Sequence, residues 1–267
     1  MNRLAVHQSL VHPLTPLQLI DLVRESGWDS VGLHIGAVDE TEPWWTGGAG
    51  ERLLAATIDR LLETRVTVLD VGVVLLRAHL ERDDVHRAHG RVLDFGSRLG
   101  AQFVTARFDP SSGRPLGTAE KADRFAQLAE QSRPFRLRPL LATVPVDRPD
   151  LLEEAVAVVE PCGGGVVLDV PVVGVDADVV SAAVSDLWEN LGYVRVNARA
   201  LEGAVESASG QLAVLPPQVP VVIGGDDGLG LLDTDRSARL SRLREAVDRM
   251  LEHPRARALR EAAALGR

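Results

Sequence analysis

Residues 165–170 read Gly-Val-Val-Leu-Asp-Val, a short run of aliphatic and β-branched side chains that contains one carboxylate. Such a run predicts a buried strand of a parallel sheet, because helices cover both faces of sheets of that kind. An amphipathic stretch precedes the run at residues 148–159, and another follows it at residues 177–190. The segment therefore predicts one strand between two helices, which is the unit of an α/β fold.

The same alternation continues in both directions along the chain, at about 25 to 35 residues per unit. The predicted strands cover residues 4–9, 30–35, 66–74, 102–107, 136–144, 165–170, 193–198 and 219–224. The predicted helices cover residues 15–26, 50–63, 83–99, 118–132, 148–159 and 177–190, a short stretch after residue 198, and residues 237–252.

Eight strand–helix units predict a single closed (β/α)8 TIM barrel, a fold that routinely reaches the length of this chain as one domain. An open doubly wound sheet would carry a glycine-rich turn after the first strand, where this chain has Gln8-Ser9-Leu10-Val11-His12. We therefore expect one barrel domain over residues 1–267, with residues 254–267 as a terminal helix or tail.

The composition indicates one large apolar core and an acidic surface. Hydrophobic residues make up 45% of the chain, and its formal net charge is −9. This charge argues against nucleic-acid binding, which needs a basic surface to displace counterions. The single cysteine, Cys162, fits a reducing compartment. We expect a cytoplasmic protein with a small-molecule substrate and no membrane partner, and a homodimer is the assembly we consider.

Function in such barrels lies at the carboxyl ends of the strands, so the polar residues at those ends are the candidates. Strand parity selects among them: in Tyr193-Val194-Arg195-Val196-Asn197 the valines share one face and the polar pair shares the other. The candidate catalytic residues are Asp169, His34 and His7. The candidate substrate-binding residues are Arg195, Asn197, Arg107, Asp70, Trp44 and Trp45.

The charged candidates have two interpretations. Asp169 with Arg195, or Asp70 with Arg107, could form an internal salt bridge that seals the barrel top, because a buried charge needs a partner. Alternatively, the arginines bind an anionic group of a ligand, since the planar guanidinium suits a carboxylate or a phosphate. The sequence leaves both interpretations open.

The aromatic and histidine candidates also have more than one interpretation. Trp44 and Trp45 follow strand 2 in a chain with only 4% aromatic residues. They predict either a ligand lid or pocket wall, or a cover over the barrel rim or a dimer contact. His86 and His89 have ligand-like spacing, but they fall in predicted helix 3, where we expect solvent-exposed side chains. Cys162 precedes strand 6 and so falls on the face that serves stability.

Several segments, taken in order, resemble the xylose-isomerase-like barrels of the sugar phosphate isomerase/epimerase group. Residues 27–34, Gly-Trp-Asp-Ser-Val-Gly-Leu-His, are similar to the group's entry into strand 2, with His34 where Arg is common. Residues 69–74, Leu-Asp-Val-Gly-Val-Val, are similar to its strand 3, with Gly72 in place of Glu. Residues 98–101 and 165–169 match its helix 3 ending and its strand 6.

The resemblance implies a divalent cation (Mg, Mn or Zn) held by a Glu on strand 5, an Asp on strand 6, a His or Gln on strand 7 and a Glu on strand 8. In this sequence those positions are Ala142, Asp169, Arg195 and Gly224. A single carboxylate facing an arginine is a poor divalent site, because hard cations need several oxygen or imidazole ligands. We therefore expect no metal and no other cofactor; a two-residue shift at strand 8 would instead bring Asp226 into the set.

Three functions remain open after these observations. The first is an isomerase-, epimerase- or lyase-type enzyme that acts without the metal on a small oxygenated, anionic substrate, such as a sugar, a sugar acid or a natural-product intermediate. In it, Asp169 and His7 or His34 would move protons. The second is a non-catalytic member of the family that binds a ligand or stabilises a partner. The third is a metal-dependent sugar isomerase or epimerase with relocated ligands.

Overall fold

The structure is a computed structural model that describes residues 2–11, 13–35, 45, 47–77, 82–109, 115–171, 175–203, 210–225 and 235–252. In these residues, eight parallel strands form a closed barrel in which each strand pairs with the next and the last pairs with the first. The predicted single (β/α)8 barrel is confirmed. None of the helices described is both long enough and apolar enough to cross a bilayer.

The strands are β1 (Leu4–His7), β2 (Ser30–His34), β3 (Thr67–Leu76), β4 (Phe103–Phe108), β5 (Arg138–Pro145), β6 (Gly165–Val170), β7 (Leu191–Asn197) and β8 (Val221–Gly224). The helices are α1 (Pro16–Glu25), α2 (Gly47–Thr64), α3 (Arg82–Arg98), α4 (Thr118–Ser132), α5 (Pro149–Val159), α6 (Ala177–Asp186), α7 (Ala198–Gly203) and α8 (Arg236–Leu251). Short 3-10 turns cover Gln8–Leu10, Arg133–Phe135 and Glu160–Cys162.

The helix boundaries follow local capping chemistry. α1 begins after Thr15, whose hydroxyl accepts the Gln18 N–H while the Gln18 side chain accepts the Thr15 N–H, and Pro16 occupies the first turn. α6 ends at Asp186, earlier than the predicted residue 190. The difference arises because residues 187–190 form hydrogen-bonded turns that lead directly into β7.

The core has two layers, as expected for a barrel surrounded by helices. The larger layer lies between the strands and the helices. The smaller layer fills the barrel interior and consists of Ala5, Leu69, Leu140, Val167, Tyr193 and Val222, with Phe103 and Ala142 packed against it. Because this inner layer is apolar and buried, it excludes water from below the polar groups at the carboxyl ends of the strands.

An irregularity in β3 decides which of its side chains enter the barrel. Val31 of β2 pairs with Val68, but the next residue, Gly32, pairs with Asp70, so Leu69 is an extra residue in the ladder. A bulge of this kind turns two successive side chains to the same face. Leu69 therefore joins the inner apolar layer, and Asp70 also points inward, above that layer.

Candidate functional site

The mouth of the barrel brings five of the predicted site residues together: His7, His34, Asp70, Asp169 and Arg195. The rings of His7 and His34 meet edge to face with their centroids 4.8 Å apart. His7 Nε2 lies 3.9 Å from Asp70 Oδ2. A Cβ atom built on Gly224 would lie 3.6 Å from the Cβ of His7 and 3.7 Å from the Cδ of Arg195, so these two side chains flank the same glycine.

The backbone of His34 is fixed on both sides at the end of β2. Its N–H donates to Oε1 of Gln8 at 3.0 Å, and the other end of that amide, Nε2, donates to the Leu14 carbonyl at 2.9 Å. The indole N–H of Trp45 donates to the His34 carbonyl at 2.7 Å. Because both backbone groups of His34 are satisfied, its half-buried ring is presented from a rigid position.

The hydrogen bonds of His7 define its tautomer. The Ser9 backbone N–H donates to Nδ1 at 3.2 Å, and Ser9 Oγ lies 2.8 Å from the same atom, so Nδ1 accepts and the ring proton lies on Nε2. Burial, followed by the nearby His34 and Arg195, lowers the pKa of His7 well below its usual value of 6.5. The side chain is 12% exposed, and the imidazole is neutral at neutral pH.

Asp70 lies beside the ring of His7 and has no exposed surface. Its Oδ2 accepts a hydrogen bond of 3.2 Å from the hydroxyl of Tyr193, whereas its Oδ1 has no hydrogen-bond partner among the described residues. Burial raises the pKa of Asp70 from 3.8 to about 7, although the Tyr193 hydrogen bond opposes that rise. Burial likewise raises the pKa of Tyr193 well above its usual value.

Gly32 is the residue that leaves room for Asp70 and His7. A Cβ atom at position 32 would lie 2.3 Å from Asp70 Oδ1 and 2.5 Å from His7 Cδ2. Both distances are far inside van der Waals contact, so any side chain there would displace one of these two groups. The glycine is therefore a steric requirement of the site.

Asp169 and Arg195 form a two-point ion pair across neighbouring strands. They are register partners on β6 and β7, with Nε 3.0 Å from Oδ1 and Nη2 3.2 Å from Oδ2. Their side chains are 27% and 19% exposed, respectively, so the pair borders the open mouth. The alternative pair of Asp70 with Arg107 is wrong, because Asp70 is bonded to Tyr193 and the Arg107 side chain is exposed at the end of β4.

Other candidates have structural partners that change their interpretation. Asn197 Oδ1 accepts from the N–H groups of Arg199 and Ala200 at the start of α7 and so serves as a cap. Trp45 is 2% exposed and packs edge to face on Phe95 with centroids 5.8 Å apart, which agrees with a rim cover and not with an exposed pocket wall. The burial of Asp70 also excludes direct substrate contact in this conformation.

The remaining candidates lie in the predicted loops and on the predicted outer helices. Trp44 and Asp226 lie outside the described residues. His89, expected at the surface, is instead 4% exposed between α3 and α4, where its Nδ1 lies 3.2 Å from Oε1 of Gln131. Helix–helix packing covers this face, which the sequence pattern alone did not distinguish from a solvated one.

The donor set at the four implied metal positions does not fit a divalent cation. Ala142 and Gly224 have no side-chain ligand atoms, and Arg195 brings a positive charge. Asp169, the one remaining carboxylate, has both oxygens bonded to that guanidinium. Among the described residues, no group of three or more His, Cys, Asp or Glu side chains is placed to hold a metal ion.

Two residues of the site, Tyr193 and Ser9, are not among those predicted from the sequence. Tyr193 has the same strand parity as Arg195, so the alternation that selected Arg195 would also have selected Tyr193. Ser9 shows no such signal, because its contact with His7 arises from the 3-10 turn that follows β1.

No protein-family model matches the chain, and no curated protein sequence matches it. Solved structures do match it. The IolI protein with a bound zinc atom has 11% identity and a TM-score of 0.66, covering 93% of this chain and 98% of that one. A xylose isomerase domain protein from Alicyclobacillus acidocaldarius has 17% identity and a TM-score of 0.60, covering 94% and 98%.

A third solved structure is 3-keto-D-glucoside 4-epimerase from E. coli in its apo form. It has 13% identity and a TM-score of 0.61, and covers 93% of this chain and 98% of that one. At such low identities the matches speak to architecture. The chain has the fold of the xylose-isomerase-like TIM barrels.

Proposed function

We propose that the chain is an isomerase-, epimerase- or lyase-type enzyme that moves a proton on a small oxygenated, anionic substrate without a divalent cation. One observation carries the proposal: the His7–His34 pair stands beside the Asp169–Arg195 ion pair at the barrel mouth. The two histidines, which can move protons, and the guanidinium of Arg195 thus share one partly exposed site above the apolar inner layer of the barrel.

The guanidinium of Arg195 is the group that would orient an anion. Its planar donors match a carboxylate, a phosphate or the oxygen of a developing enolate. The neutral state of His7 suits the same site, because a neutral imidazole can move a proton at neutral pH without adding a second fixed charge.

Asp169 has a different role in this proposal from the one expected from the sequence. Both of its oxygens are occupied by Arg195, so we assign it the orientation of the guanidinium and leave proton movement to the histidines. His34 is the better placed of the two histidines to meet a ligand, because it is half-buried and its backbone is held by Gln8 and Trp45.

The solved neighbours support the reaction class by analogy of fold. They include 3-keto-D-glucoside 4-epimerase and D-psicose 3-epimerase, the latter solved in the presence of D-fructose. Both names describe carbohydrate epimerases. In our proposal this chain performs related proton chemistry with guanidinium charge in the place of a metal.

A second candidate, a non-catalytic binding protein, is favoured by the closed geometry of the ion pair. A two-point Asp169–Arg195 contact is also what a sealed barrel mouth would contain. The two candidates differ in one observable, which is whether a bound compound exchanges a carbon-bound proton with solvent.

The test begins with thermal shift measurements against sugar acids, sugar phosphates and keto acids. Compounds that bind are then incubated with the protein in D2O and followed by NMR for deuterium incorporation. We expect Arg195→Ala to abolish the thermal shift, while Arg107→Ala, a matched loss of one exposed arginine, retains it. We expect His34→Ala to retain binding and to slow exchange by about 100-fold or more.

The outcomes separate the candidates. Binding with exchange supports the enzyme. Binding to the wild-type protein with no exchange for any compound favours the binding protein. A full panel without any thermal shift would remove the support for a small anionic ligand.

A further inference from the structure

A row of polar groups runs from the mouth into the barrel interior and is not explained by ligand binding. Gly225 N–H donates to Ser9 Oγ at 3.3 Å, and Ser9 Oγ lies 2.8 Å from His7 Nδ1. On the opposite side of the ring, Nε2 faces Asp70 Oδ2 across 3.9 Å. The Tyr193 hydroxyl holds that same oxygen from below.

We infer that Ser9, His7 and Asp70 form a hydroxyl–imidazole–carboxylate relay, in which Ser9 is the end that meets the substrate and Asp70 is a positioning residue acting through His7. The inference rests on the proposed function for its chemistry, because it extends to Ser9 and Asp70 the proton movement that the proposed function already assigns to His7.

The direction of the relay follows from the hydrogen bonds. The Ser9 oxygen accepts from Gly225, so its own hydrogen is directed at Nδ1, which already accepts the Ser9 backbone N–H. Ser9 is partly exposed, whereas Asp70 is completely buried. The accessible end is therefore the hydroxyl, and the carboxylate can act only through the ring.

The proton balance of the step is simple. A proton leaves the substrate for Ser9 Oγ as the Ser9 hydroxyl proton moves to Nδ1, which leaves a substrate anion and an imidazolium. The ionised carboxylate of Asp70 faces the Nε2–H of that imidazolium and stabilises it. Arg195, beside His7 across Gly224, faces the new negative charge on the substrate. The protons return by the reverse path.

Asp70 Oδ1 has no hydrogen-bond partner in the part of the chain that the structure describes, which indicates independently that this carboxyl has a role besides packing. A buried polar atom without a partner costs free energy, and such atoms concentrate at functional sites. The bulge in β3 and the absence of a side chain at Gly32 both serve to place this group. A purely structural site would be filled more stably by an apolar residue.

The relay should depend on pH through Asp70. The groups that face Asp70 are His7 from β1 and Tyr193 from β7, with His34 behind His7 and the Asp169–Arg195 pair farther out. Because the pKa of Asp70 is about 7, its carboxylate is present above that pH and lost below it. Burial keeps the pKa of His7 well below 6.5, so Asp70 is the group that changes charge near pH 7.

The experiment uses the ligand-free, 15N-labelled protein and two-bond 1H–15N correlation spectra from about pH 5 to about pH 9. We expect His7 to be neutral with its proton on Nε2, and its ring signals to show an inflection near pH 7 caused by Asp70. The inflection should vanish in Asp70→Asn. It should move to higher pH in Tyr193→Phe, which removes the hydrogen bond that favours the carboxylate.

Three results would overturn the inference. They are a His7 ring protonated on Nδ1, an inflection that persists in Asp70→Asn, and an inflection that stays in place in Tyr193→Phe. The Tyr193→Phe variant keeps the test decisive if Asp70→Asn does not fold. The NMR experiment needs no ligand, so its result does not depend on the thermal shift and exchange assays. A negative NMR result would contradict the relay without contradicting the proposed function, and negative binding and exchange assays would contradict the proposed function without preventing the NMR test of the relay.

Discussion

Replacing Asp70 by Asn should make the folded protein more stable at alkaline pH and change its stability much less at acid pH. Burial raises the pKa of this carboxyl from 3.8 to about 7. Ionising it in the folded state is thus harder by about three pH units, and at 1.36 kcal/mol per unit this costs roughly 4 kcal/mol. Asn preserves the size of the side chain and its ability to accept the Tyr193 hydroxyl hydrogen bond, but it carries no charge.

The sign follows from proton linkage. Below pH 3.8 both folded and unfolded chains hold the Asp70 proton, and the contribution of this group is fully present. Between that value and about 7 the unfolded chain has lost the proton and the folded chain keeps it, so stability falls as pH rises. Above about 7 the loss is complete. The gain from Asp70→Asn should therefore grow over this range and then level off.

The assay is urea unfolding of the wild-type and variant proteins at a series of pH values, with the difference in unfolding free energy plotted against pH. Groups common to both proteins cancel in the difference. Asp150→Asn is the matched control, because Asp150 is exposed and paired with Arg148, which lowers its pKa. That control should show a weak trend of opposite sign. A difference for Asp70→Asn that stays flat across the range would refute the reasoning.

Three further variants test the packing of the site. Trp45→Phe retains an aromatic ring but loses the hydrogen bond to the His34 carbonyl, and should lower the unfolding free energy by about 1 kcal/mol in urea titrations. Gly32→Ala places a Cβ 2.3 Å from Asp70 Oδ1 and should cost about 1–3 kcal/mol, with unchanged stability arguing against the close packing. Arg195→Ala removes both hydrogen bonds to a partly buried carboxylate and should cost about 1–3 kcal/mol, seen as a lower thermal midpoint at neutral pH.

The architecture was predictable from the sequence because the hydrophobic periodicity of a strand or a helix, and the residues that interrupt it, act locally. The β6 strand and the α4 helix begin and end at the residues that the apolar run and the amphipathic stretch of the sequence predict. The parity of β7 predicted that Arg195 faces the barrel interior, where it meets Asp169 of the adjacent strand. These features depend on side-chain alternation within one element and on the order of neighbouring strands.

The site was only partly predictable because its geometry depends on departures from regularity. The bulge in β3 turns Asp70 inward, and simple alternation from Leu69 would have placed it outward. The pairing of Asp70 with Tyr193, and not with Arg107, follows from contact across the barrel. The same holds for Trp45, whose burial against Phe95 is a tertiary contact between the loop after β2 and α3.

Our proposal that the guanidinium of Arg195 takes the place of a divalent cation is tested most directly by metal analysis of protein purified without chelator. Elemental mass spectrometry should find no Mg, Mn or Zn in stoichiometric amount, and added Mn2+ should give no saturable binding in calorimetry. One tightly held ion per chain, lost in the Asp169→Asn variant, would contradict the proposal and would favour a metal-dependent isomerase.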